Sequence, residues 1–287
     1  MHKPTILVIG ALGNVGREVS RALIADGISV RLADIFPDRL EQEFGGKAEI
    51  VKFDFSDTST FRDTFKGINR MFLMRPPQIS NTKRDMFPAL DASVSAGVRH
   101  VAFLSLIGIE KVKFVPHYPV EEYLRQSDMS FTFLRCSFFM QNLNTAHKDE
   151  IRDRNEIFIP VGSAKTSFID VRDIGTAAAV VLTEDGHENK IYDLTGPESL
   201  DYNQVARVLS DALGRTITYS NPSPFKFFFG NLRRGAPFAF TLVQTFLYLS
   251  TRSGMADIVT PHLSNLIRRP AIDITTYAED YRTHWEK

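Results

Sequence analysis

The sequence has a single cysteine, Cys136, among its 287 residues. One cysteine excludes an internal disulfide and a cluster of thiolates around a metal ion, and it suits a reducing compartment. Neither sign of charge dominates, because 34 basic residues balance 34 acidic ones. This balance leaves no basic footprint for nucleic acid and no acidic tail, so nucleic acid is not an expected partner.

Long apolar runs are also missing. The longest, residues 236–250, is interrupted by threonine and glutamine, and it falls short of the roughly 20 residues that span a bilayer. The chain starts almost directly on a predicted strand, without the pattern of a signal peptide. The seven histidines are scattered and indicate no metal site. These features predict a soluble, cytoplasmic protein with no membrane span and no bound metal.

The most informative pattern that is present is a short apolar run followed by three glycines. Residues 6–9 predict a buried strand, and Gly10, Gly13 and Gly16 follow at G-x-x-G-x-x-G spacing. A helical pattern then continues to Gly27. Strand, turn and helix in this order form a cradle for a pyrophosphate, the alternative being a tight turn that binds nothing. The residues expected to line the cradle are Gly10, Leu12, Gly13, Asn14, Val15 and Gly16.

An acidic residue stands where a dinucleotide would place its ribose. Asp34 follows the second predicted strand, residues 28–33, and lies eighteen residues after Gly16. An acid near this position accepts a hydrogen bond from the ribose 2′-hydroxyl and repels the 2′-phosphate of NADP(H). Ile35 adds no positive charge. We therefore expect NAD(H) to be the preferred cofactor and NADP(H) the alternative, unless Asp34 is only a solvated loop residue.

Strands and helices alternate through the first half of the chain. Repeated βα units of this length predict an α/β fold, a Rossmann-like doubly wound parallel sheet with a smaller C-terminal substrate lobe. We assign residues 1–135 to the dinucleotide-binding domain, with residues 164–195 returning to it, and residues 136–163 and 196–287 to the smaller lobe.

Ligands of such sheets lie at the carboxyl ends of the strands, where the strand order reverses. We therefore expect the ends of the first five predicted strands to line one crevice. These ends are at Gly10, Asp34, Asp54, Met74 and Ser105.

Several stretches of this chain resemble the NmrA-like branch of the atypical short-chain dehydrogenase/reductase superfamily. They are spread over nearly the whole chain, at residues 9–16, 117–135, 168–175, 194–200 and 269–272. The resemblance implies a nicotinamide dinucleotide site. Members range from NAD(P)H-dependent reductases to redox sensors that bind the cofactor without turning it over, so the resemblance defines fold and ligand better than activity.

Two strand ends acquire roles from this resemblance. Asp54 and Phe55 would contact the adenine, or else serve as turn residues. Met74 and Pro76 would lie under the middle of the cofactor. Arg75, between them, would contact a phosphate or a substrate acid, or else remain a solvated loop residue.

Dehydrogenases of this superfamily use a tyrosine as proton donor, a lysine four residues later and a serine on the preceding strand. This chain departs from that pattern. Ser105 matches the serine, but Lys113 stands at the tyrosine position and His117 at the lysine position. Tyr118 has Glu122, not lysine, four residues on. His117, with an ordinary pKa of about 6.5, suits proton exchange near neutral pH. Its alternatives are a bond to the nicotinamide ribose or no role, and Tyr118 is the second candidate donor.

Phenylalanine is concentrated after residue 224, in the run 225–229 and at Phe238, Phe240 and Phe246. Helical spacing makes core packing the default interpretation of this segment. The alternative is an apolar lid, or a surface for a protein partner or a second copy of the chain. A lid would favour a flat, apolar or aromatic substrate such as a quinone. Phe138, after the sixth strand, would lie where nicotinamide and substrate meet, or pack in the core.

Two functions follow from these residues. The first is an NAD(P)H-dependent reductase of a small apolar carbonyl, quinone or enone, with the proton handled by Ser105 and His117 or by water. The second is a non-catalytic NAD(P) sensor that acts through a partner protein, which the missing Tyr-Lys pair favours. A third, an isomerase or epimerase with bound NAD, is less well supported without the tyrosine.

Overall fold

The computed structural model describes residues 5–287, apart from the side chains at positions 5, 239 and 240. The strands in this range are β1 Thr5–Ile9, β2 Val30–Asp34, β3 Glu49–Lys52, β4 Ile68–Leu73, β5 His100–Leu106, β6 Ser130–Cys136, β7 Phe138–Phe139, β8 Glu156–Ile157, β9 Thr166–Ile169, β10 Lys190–Leu194, β11 Ser199–Leu200 and β12 Thr218–Tyr219.

The α-helices in the same range are α1 Asn14–Ala25, α2 Pro37–Phe44, α3 Phe61–Phe65, α4 Thr82–Asp85, α5 Phe87–Ser95, α6 His117–Gln126, α7 Lys148–Arg154, α8 Val171–Thr183, α9 Tyr202–Leu213, α10 Pro224–Arg233, α11 Phe238–Arg252, α12 His262–Ile267 and α13 Ile274–Asp280. Within residues 5–287, no helix combines the length and the apolar character needed to cross a membrane.

Seven strands form one parallel sheet in the order β10-β6-β5-β4-β1-β2-β3. Ile6 of β1, for example, is in register with Val30 on one side and with Arg70 on the other. The strand order reverses beside β1, because the chain proceeds outward to β3 and then returns to the opposite side of β1. The predicted Rossmann-like doubly wound sheet is therefore confirmed.

The central strands are apolar because helices cover both faces of the sheet. Leu7 and Val8, which point to opposite faces, are both fully buried. On one face α1 and α8 pack unusually close together, since a Cβ added at Gly175 would lie 2.6 Å from the backbone carbon of Glu18. Helix α1 contacts β1 and β2, and α8 contacts β4, β5 and β6.

The chain divides into two compact units. The first comprises the chain up to Cys136 together with Val171–Leu194 and His262–Arg269, and the second comprises Ser137–Asp170, Thr195–Pro261 and Pro270–Lys287. Compared with the division made from sequence, the first unit also includes α12, which packs on α8 and β10. Residues 164–170 lie in the second unit, because β9 pairs with β7 and β11.

The second unit has two small sheets, β11-β9-β7 and β12-β8, and an aromatic core. Trp285 and Tyr277 are fully buried in this core. The indole N–H of Trp285 donates to the carbonyl oxygen of Leu143 at 3.0 Å, and the Tyr277 hydroxyl donates to Oδ1 of Asn144, also at 3.0 Å. Because these buried polar groups are paired, their hydrogen bonds offset the cost of removing them from water, and the end of the chain can be held in the core.

Candidate functional site

A tight glycine turn joins β1 to α1. The N–H of Gly10 donates to the carbonyl oxygen of Ala33, and the N–H of Gly13 donates to that of Gly10, both at 2.9 Å. Gly10 has a φ of +73°, a conformation that glycine adopts without strain. A Cβ at Gly10 would also lie 2.8 Å from Sδ of Met74. The structure thus brings Met74, which follows β4, directly against the turn.

Gly16 allows α1 to approach this turn. A Cβ at position 16 would lie only 2.1 Å from the carbonyl oxygen of Gly10, so any other residue would displace the start of the helix. A Cβ at Gly13 would lie 3.2 Å from the same oxygen. The third glycine is therefore required by packing, whereas the second has almost enough room for a side chain.

The start of α1 has the free donors and the local charge that suit an anion. Gly13 is the N-cap, no side chain among the described residues caps the helix, and the first turn holds no acidic residue. The first helical bond to the cap runs from Arg17 N–H to Gly13 O at 2.9 Å, so the N–H groups of Asn14, Val15 and Gly16 have no acceptor within the helix. These donors, with about half a unit of positive charge from the helix dipole, suit a pyrophosphate.

Asp34 lies at the end of β2, and its carboxylate is hydrogen-bonded to the glycine turn. Oδ2 accepts from the N–H of Leu12 at 3.2 Å, and Oδ1 accepts from the N–H of Phe36 at 3.4 Å. A carboxylate has about four acceptor positions, so there is capacity left for a ribose hydroxyl. Ile35 and Phe36 are exposed beside it, and the guanidinium of Arg39 lies 5.7 Å from the Phe36 ring. Sequence reasoning missed this cation, because only the fold of α2 brings it to Phe36.

Asp54 and Phe55 follow β3 and have local partners. Oδ1 of Asp54 accepts from both the N–H and the hydroxyl of Ser56, at 2.8 and 2.7 Å. The ring of Phe55 packs edge-on against Phe53 with centroids 4.8 Å apart. These contacts define a turn at the end of β3, and a contact of either residue with adenine stays a prediction.

Arg75 is turned toward its own loop. Its Nη1 donates to the carbonyl oxygens of Pro76, Pro77 and Ile79 at 2.8, 3.3 and 2.7 Å. Burial lowers the pKa of the guanidinium. Arg75 thus shapes the loop after β4 and places a positive charge inside the first unit, while a contact of Arg75 or Pro76 with a ligand stays a prediction.

Ser105, near the end of β5, is engaged in a buried charge network. Its hydroxyl donates to Oε1 of Glu121 in α6 at 2.6 Å, and both side chains are buried. Nε and Nη2 of Arg135 donate to the same carboxylate at 3.0 and 2.7 Å, and Arg125 donates to it at 3.0 Å. Arg135 also donates to Glu110 at 2.9 Å. The single proton of Ser105 is therefore directed to Glu121.

Sequence reasoning missed Glu121 and Arg135. The signal was a cation at the end of an otherwise apolar strand, since a charge within a buried strand requires a buried partner. Arg135 lies opposite Ser105 in the β5–β6 register, and this register brings Arg135 and Glu121 to one point. The pairing depends on the crossover from β5 through α6 to β6.

His117 is the first residue of α6 and is partly buried. Its ring lies 6.1 Å from that of Phe103, and its Nδ1 is buried with no hydrogen-bond partner within residues 5–287. Burial, assisted by the positive charge of Arg75, lowers the pKa of His117 to about 3. The imidazole is therefore neutral at cellular pH, which makes it a hydrogen-bonding group rather than a ready proton donor.

Lys113 and Tyr118, near the start of α6, form a cation–π contact. Nζ of Lys113 lies 5.6 Å from the centroid of the Tyr118 ring. The cation therefore lies at the face of the tyrosine ring, although the chain lacks a lysine four residues after Tyr118. A role for Tyr118 in proton transfer stays a prediction.

Phe138 belongs to the second unit, on β7. It is in register with Phe168 of β9, and its ring stacks on that of Tyr248 with centroids 6.3 Å apart. Phe138 thus lies at the edge of the aromatic core, and its predicted contact with nicotinamide stays a prediction.

The remaining reactive side chains indicate no separate chemistry. Cys136 is fully enclosed, and burial raises the pKa of its thiol, so it is not a ready nucleophile. Among the described residues, no group of three or more His, Cys, Asp or Glu side chains has the arrangement of a metal site.

The first unit fits a nicotinamide dinucleotide on three observations. The uncapped start of α1 suits the pyrophosphate, and Asp34 retains acceptor capacity for a ribose. The unpaired Nδ1 of His117 offers a hydrogen-bonding position in the same unit. The chemistry of these groups matches a ligand with phosphates and sugar hydroxyls.

Comparison with known proteins agrees with this fit. The model of the NmrA-like family matches residues 2–252. The chain is 30% identical over 223 residues to the NAD(P)H azoreductase of Xenophilus azovorans, covering 75% of this chain and 76% of that protein. It is 32% identical over 219 residues to the (4-alkanoyl-5-oxo-2,5-dihydrofuran-3-yl)methyl phosphate reductase of Streptomyces griseus, with 75% and 76% covered.

A solved structure with the same fold is the NADPH-dependent quinone oxidoreductase QOR2 of Escherichia coli in complex with NADPH. Its TM-score to this chain is 0.88 at 21% identity, over 96% of this chain and 99% of that one. The resemblance seen in the sequence motifs is thus confirmed. By the family match and these relatives, the chain belongs to the NmrA-like family.

Proposed function

We propose that this chain is an NAD(P)H-dependent reductase of a small apolar carbonyl, quinone or enone. The observation that carries the proposal is the start of α1, an uncapped and acid-free helix terminus on a glycine turn. The names of its relatives, an azoreductase and a quinone oxidoreductase among them, support reduction of a conjugated and largely apolar acceptor.

The first unit would hold the cofactor through backbone donors and one carboxylate. The N–H groups at the start of α1 would bind the pyrophosphate, and Asp34 would accept from the adenosine ribose. Met74 packs on the turn and gives it an apolar boundary. When bound, the reduced nicotinamide supplies a hydride.

The proton comes from solvent in this proposal. Ser105 directs its only proton to Glu121 at 2.6 Å, and the pKa of His117 is lowered to about 3, so neither side chain is poised to protonate a substrate. Neutral His117 instead orients a hydroxyl or amide by hydrogen bonding. A conjugated acceptor stabilises the anion that follows hydride addition, and water can then protonate that anion, so a dedicated acid is not required.

Turnover and its pH dependence test this function. With NADH and a panel of quinones and enones we expect multiple turnovers. We also expect no change of slope near pH 6.5 in a plot of kcat/KM against pH, because folded His117 stays neutral down to its pKa of about 3.

The variant His117→Gln has a side chain that cannot be protonated in this pH range. It should retain kcat within about threefold, whereas removal of a general acid would lower kcat roughly 100-fold. A loss of that size with unchanged NADH affinity would make His117 the donor. Tight NADH binding without turnover of any acceptor would instead favour the sensor.

We also propose that NAD(H) is preferred over NADP(H), because a ribose bound at the Asp34 carboxylate would bring the 2′-phosphate of NADP(H) against a negative charge. Asp34→Asn keeps an acceptor for the N–H of Leu12 but removes the charge. The difference in binding free energy between NADH and NADPH should therefore fall by about 1–3 kcal/mol. This corresponds to a change of roughly 5- to 150-fold in the ratio of the NADPH and NADH dissociation constants. Fluorescence titrations with NADH and NADPH measure the ratio, and Asp38→Asn, an exposed acid in α2, is the matched control. Tighter binding of NADPH by the unaltered chain refutes the preference.

A further inference from the structure

Two helices of the second unit, α10 and α11, pack against each other as a hairpin, residues 224–252. The chain around this hairpin is unusual in charge, because residues 212–256 contain no acidic residue at all. The same stretch contains five basic residues. They are Arg215, Lys226, Arg233, Arg234 and Arg252.

The longer helix, α11, buries polar side chains and exposes apolar ones, the reverse of the usual arrangement in a globular protein. Its buried stripe contains Thr241 and Thr245, whereas Leu242 and Val243 are 52% and 57% exposed. A helix of a globular protein normally buries its apolar stripe and exposes its polar one. The apolar residues on the outer side are Phe238, Leu242, Val243, Phe246 and Leu249.

The threonines can be buried because the helix itself satisfies their hydroxyls. Thr241 donates to the carbonyl oxygen of Pro237 at 3.0 Å, and Thr245 donates to that of Thr241 at 2.7 Å. Thr251 donates likewise to the carbonyl oxygen of Leu247 at 3.0 Å. The hydroxyls of these three threonines are therefore satisfied, so burying them does not oppose this orientation of the helix.

Buried contacts hold the hairpin in this orientation. The Tyr248 hydroxyl lies 2.6 Å from Nε2 of His147, whose Nδ1 lies 3.0 Å from Oε2 of Glu150. The Tyr248 hydroxyl and the Glu150 carboxylate thus each lie within hydrogen-bond distance of one ring nitrogen of His147. Phe227 of α10 packs edge-on against the Tyr248 ring at 5.4 Å. Both helices are therefore tied to the second unit by their inner sides.

The exposed side chains of the two helices form one continuous outer face. The ring of Phe228 lies 5.4 Å from that of Phe229 and 5.6 Å from that of Phe238, so it joins α10 to α11. Phe225, at the start of α10, is 76% exposed. Helical spacing predicts core packing for these phenylalanines, and the prediction is confirmed for Phe227. It is wrong for Phe225, Phe229 and Phe238, which are exposed. The side chain of Phe240 lies outside the described residues.

The charges around this outer face indicate what covers it. Arg234 is paired with Glu150 at 3.2 Å. Arg233 and Lys226 are exposed, and Nζ of Lys226 lies 5.9 Å from the centroid of the Phe158 ring. A second copy of the chain would bring two such cationic faces together, which is unfavourable. A surface that is negatively charged and accepts protruding aromatic side chains without a preformed pocket is an anionic lipid bilayer.

We propose that the α10–α11 hairpin binds the surface of an anionic lipid bilayer. The outer apolar face would enter the headgroup region, with Lys226 and Arg233 near lipid phosphates. The 15 residues of α11 span about 22 Å, less than the roughly 30 Å hydrocarbon core, so the hairpin lies in the interface. This inference does not depend on the reductase activity, because it requires no cofactor.

Vesicle sedimentation of the full chain tests the proposal. We expect binding to vesicles of equal parts phosphatidylcholine and phosphatidylglycerol, much weaker binding to phosphatidylcholine alone, and release at about 1 M salt, where the Debye length is about 3 Å. The double variant Phe238→Ser/Leu242→Ser should lower the partition coefficient at least about tenfold. Arg233→Glu should lower binding to the anionic vesicles.

The matched control is Ile191→Ser, which replaces an exposed apolar residue of the first unit and should leave vesicle binding unchanged. The thermal midpoint and NADH titration check that each variant is folded. Absence of binding to anionic vesicles, or binding that the double variant leaves unchanged, overturns the proposal. So does a dimer in sedimentation velocity that the double variant dissociates, because a second copy would then cover the face.

Discussion

Gly13→Asp is expected to reduce dinucleotide affinity by at least about 100-fold while leaving the fold intact. The new carboxylate would lie at the start of α1, where the pyrophosphate is proposed to bind. Two like charges about 4 Å apart repel by about 4 kcal/mol at the effective dielectric constant of a protein surface. Isothermal titration with NADH measures the loss.

The fold should tolerate this change. Position 13 has φ −70° and ψ 160°, extended backbone that any residue adopts, and an added Cβ would meet the Gly10 oxygen at 3.2 Å, which needs only a small shift. Aspartate is also a favoured N-cap and suits the helix dipole. Gly13→Asn, with the same shape and no charge, should lose much less affinity. Equal losses in the two variants would show that bulk, rather than charge, acts at this position.

Glu121→Ala is expected to lower the free energy of unfolding by about 3–5 kcal/mol. The Glu121 carboxylate accepts from Ser105 and from two nitrogens of Arg135 in a buried position. Without it, the buried guanidinium of Arg135 keeps the contact with Glu110 at 2.9 Å and the attraction of the Asp193 carboxylate. Urea denaturation followed by circular dichroism gives the difference.

Two variants make this prediction specific. Glu184→Ala removes the exposed pair with Arg268, whose closest atoms, Nη2 and Oε2, lie 2.5 Å apart, and should change stability by less than about 1 kcal/mol. Glu121→Leu combined with Arg135→Met removes both buried charges and should recover much of the lost stability. A Glu121→Ala loss no larger than that of Glu184→Ala would mean that Arg135 is not effectively desolvated.

The sequence alone determined the sheet and the glycine turn, because both are local. Buried parallel strands are continuous apolar runs, so residues 6–9 and 100–105 indicate strands by themselves. Gly16 is required by the carbonyl oxygen of Gly10, six residues before it, and Gly10 by its own φ of +73°. In contrast, two-residue strands such as β7 and β12 have no period to detect, since only pairing with distant segments defines them.

Only the tertiary structure decided the state of the side chains that matter for chemistry and binding. The sequence shows Ser105 as a hydroxyl near a strand end, and only the fold places Glu121 2.6 Å away. The sequence alone assigns His117 an ordinary pKa, and only its burial in the fold lowers that pKa. The stripe of α11 that faces out has the same helical period as the stripe that faces in. Periodicity gives two faces of a helix, but burial depends on which face the rest of the chain covers, and no local pattern contains that information.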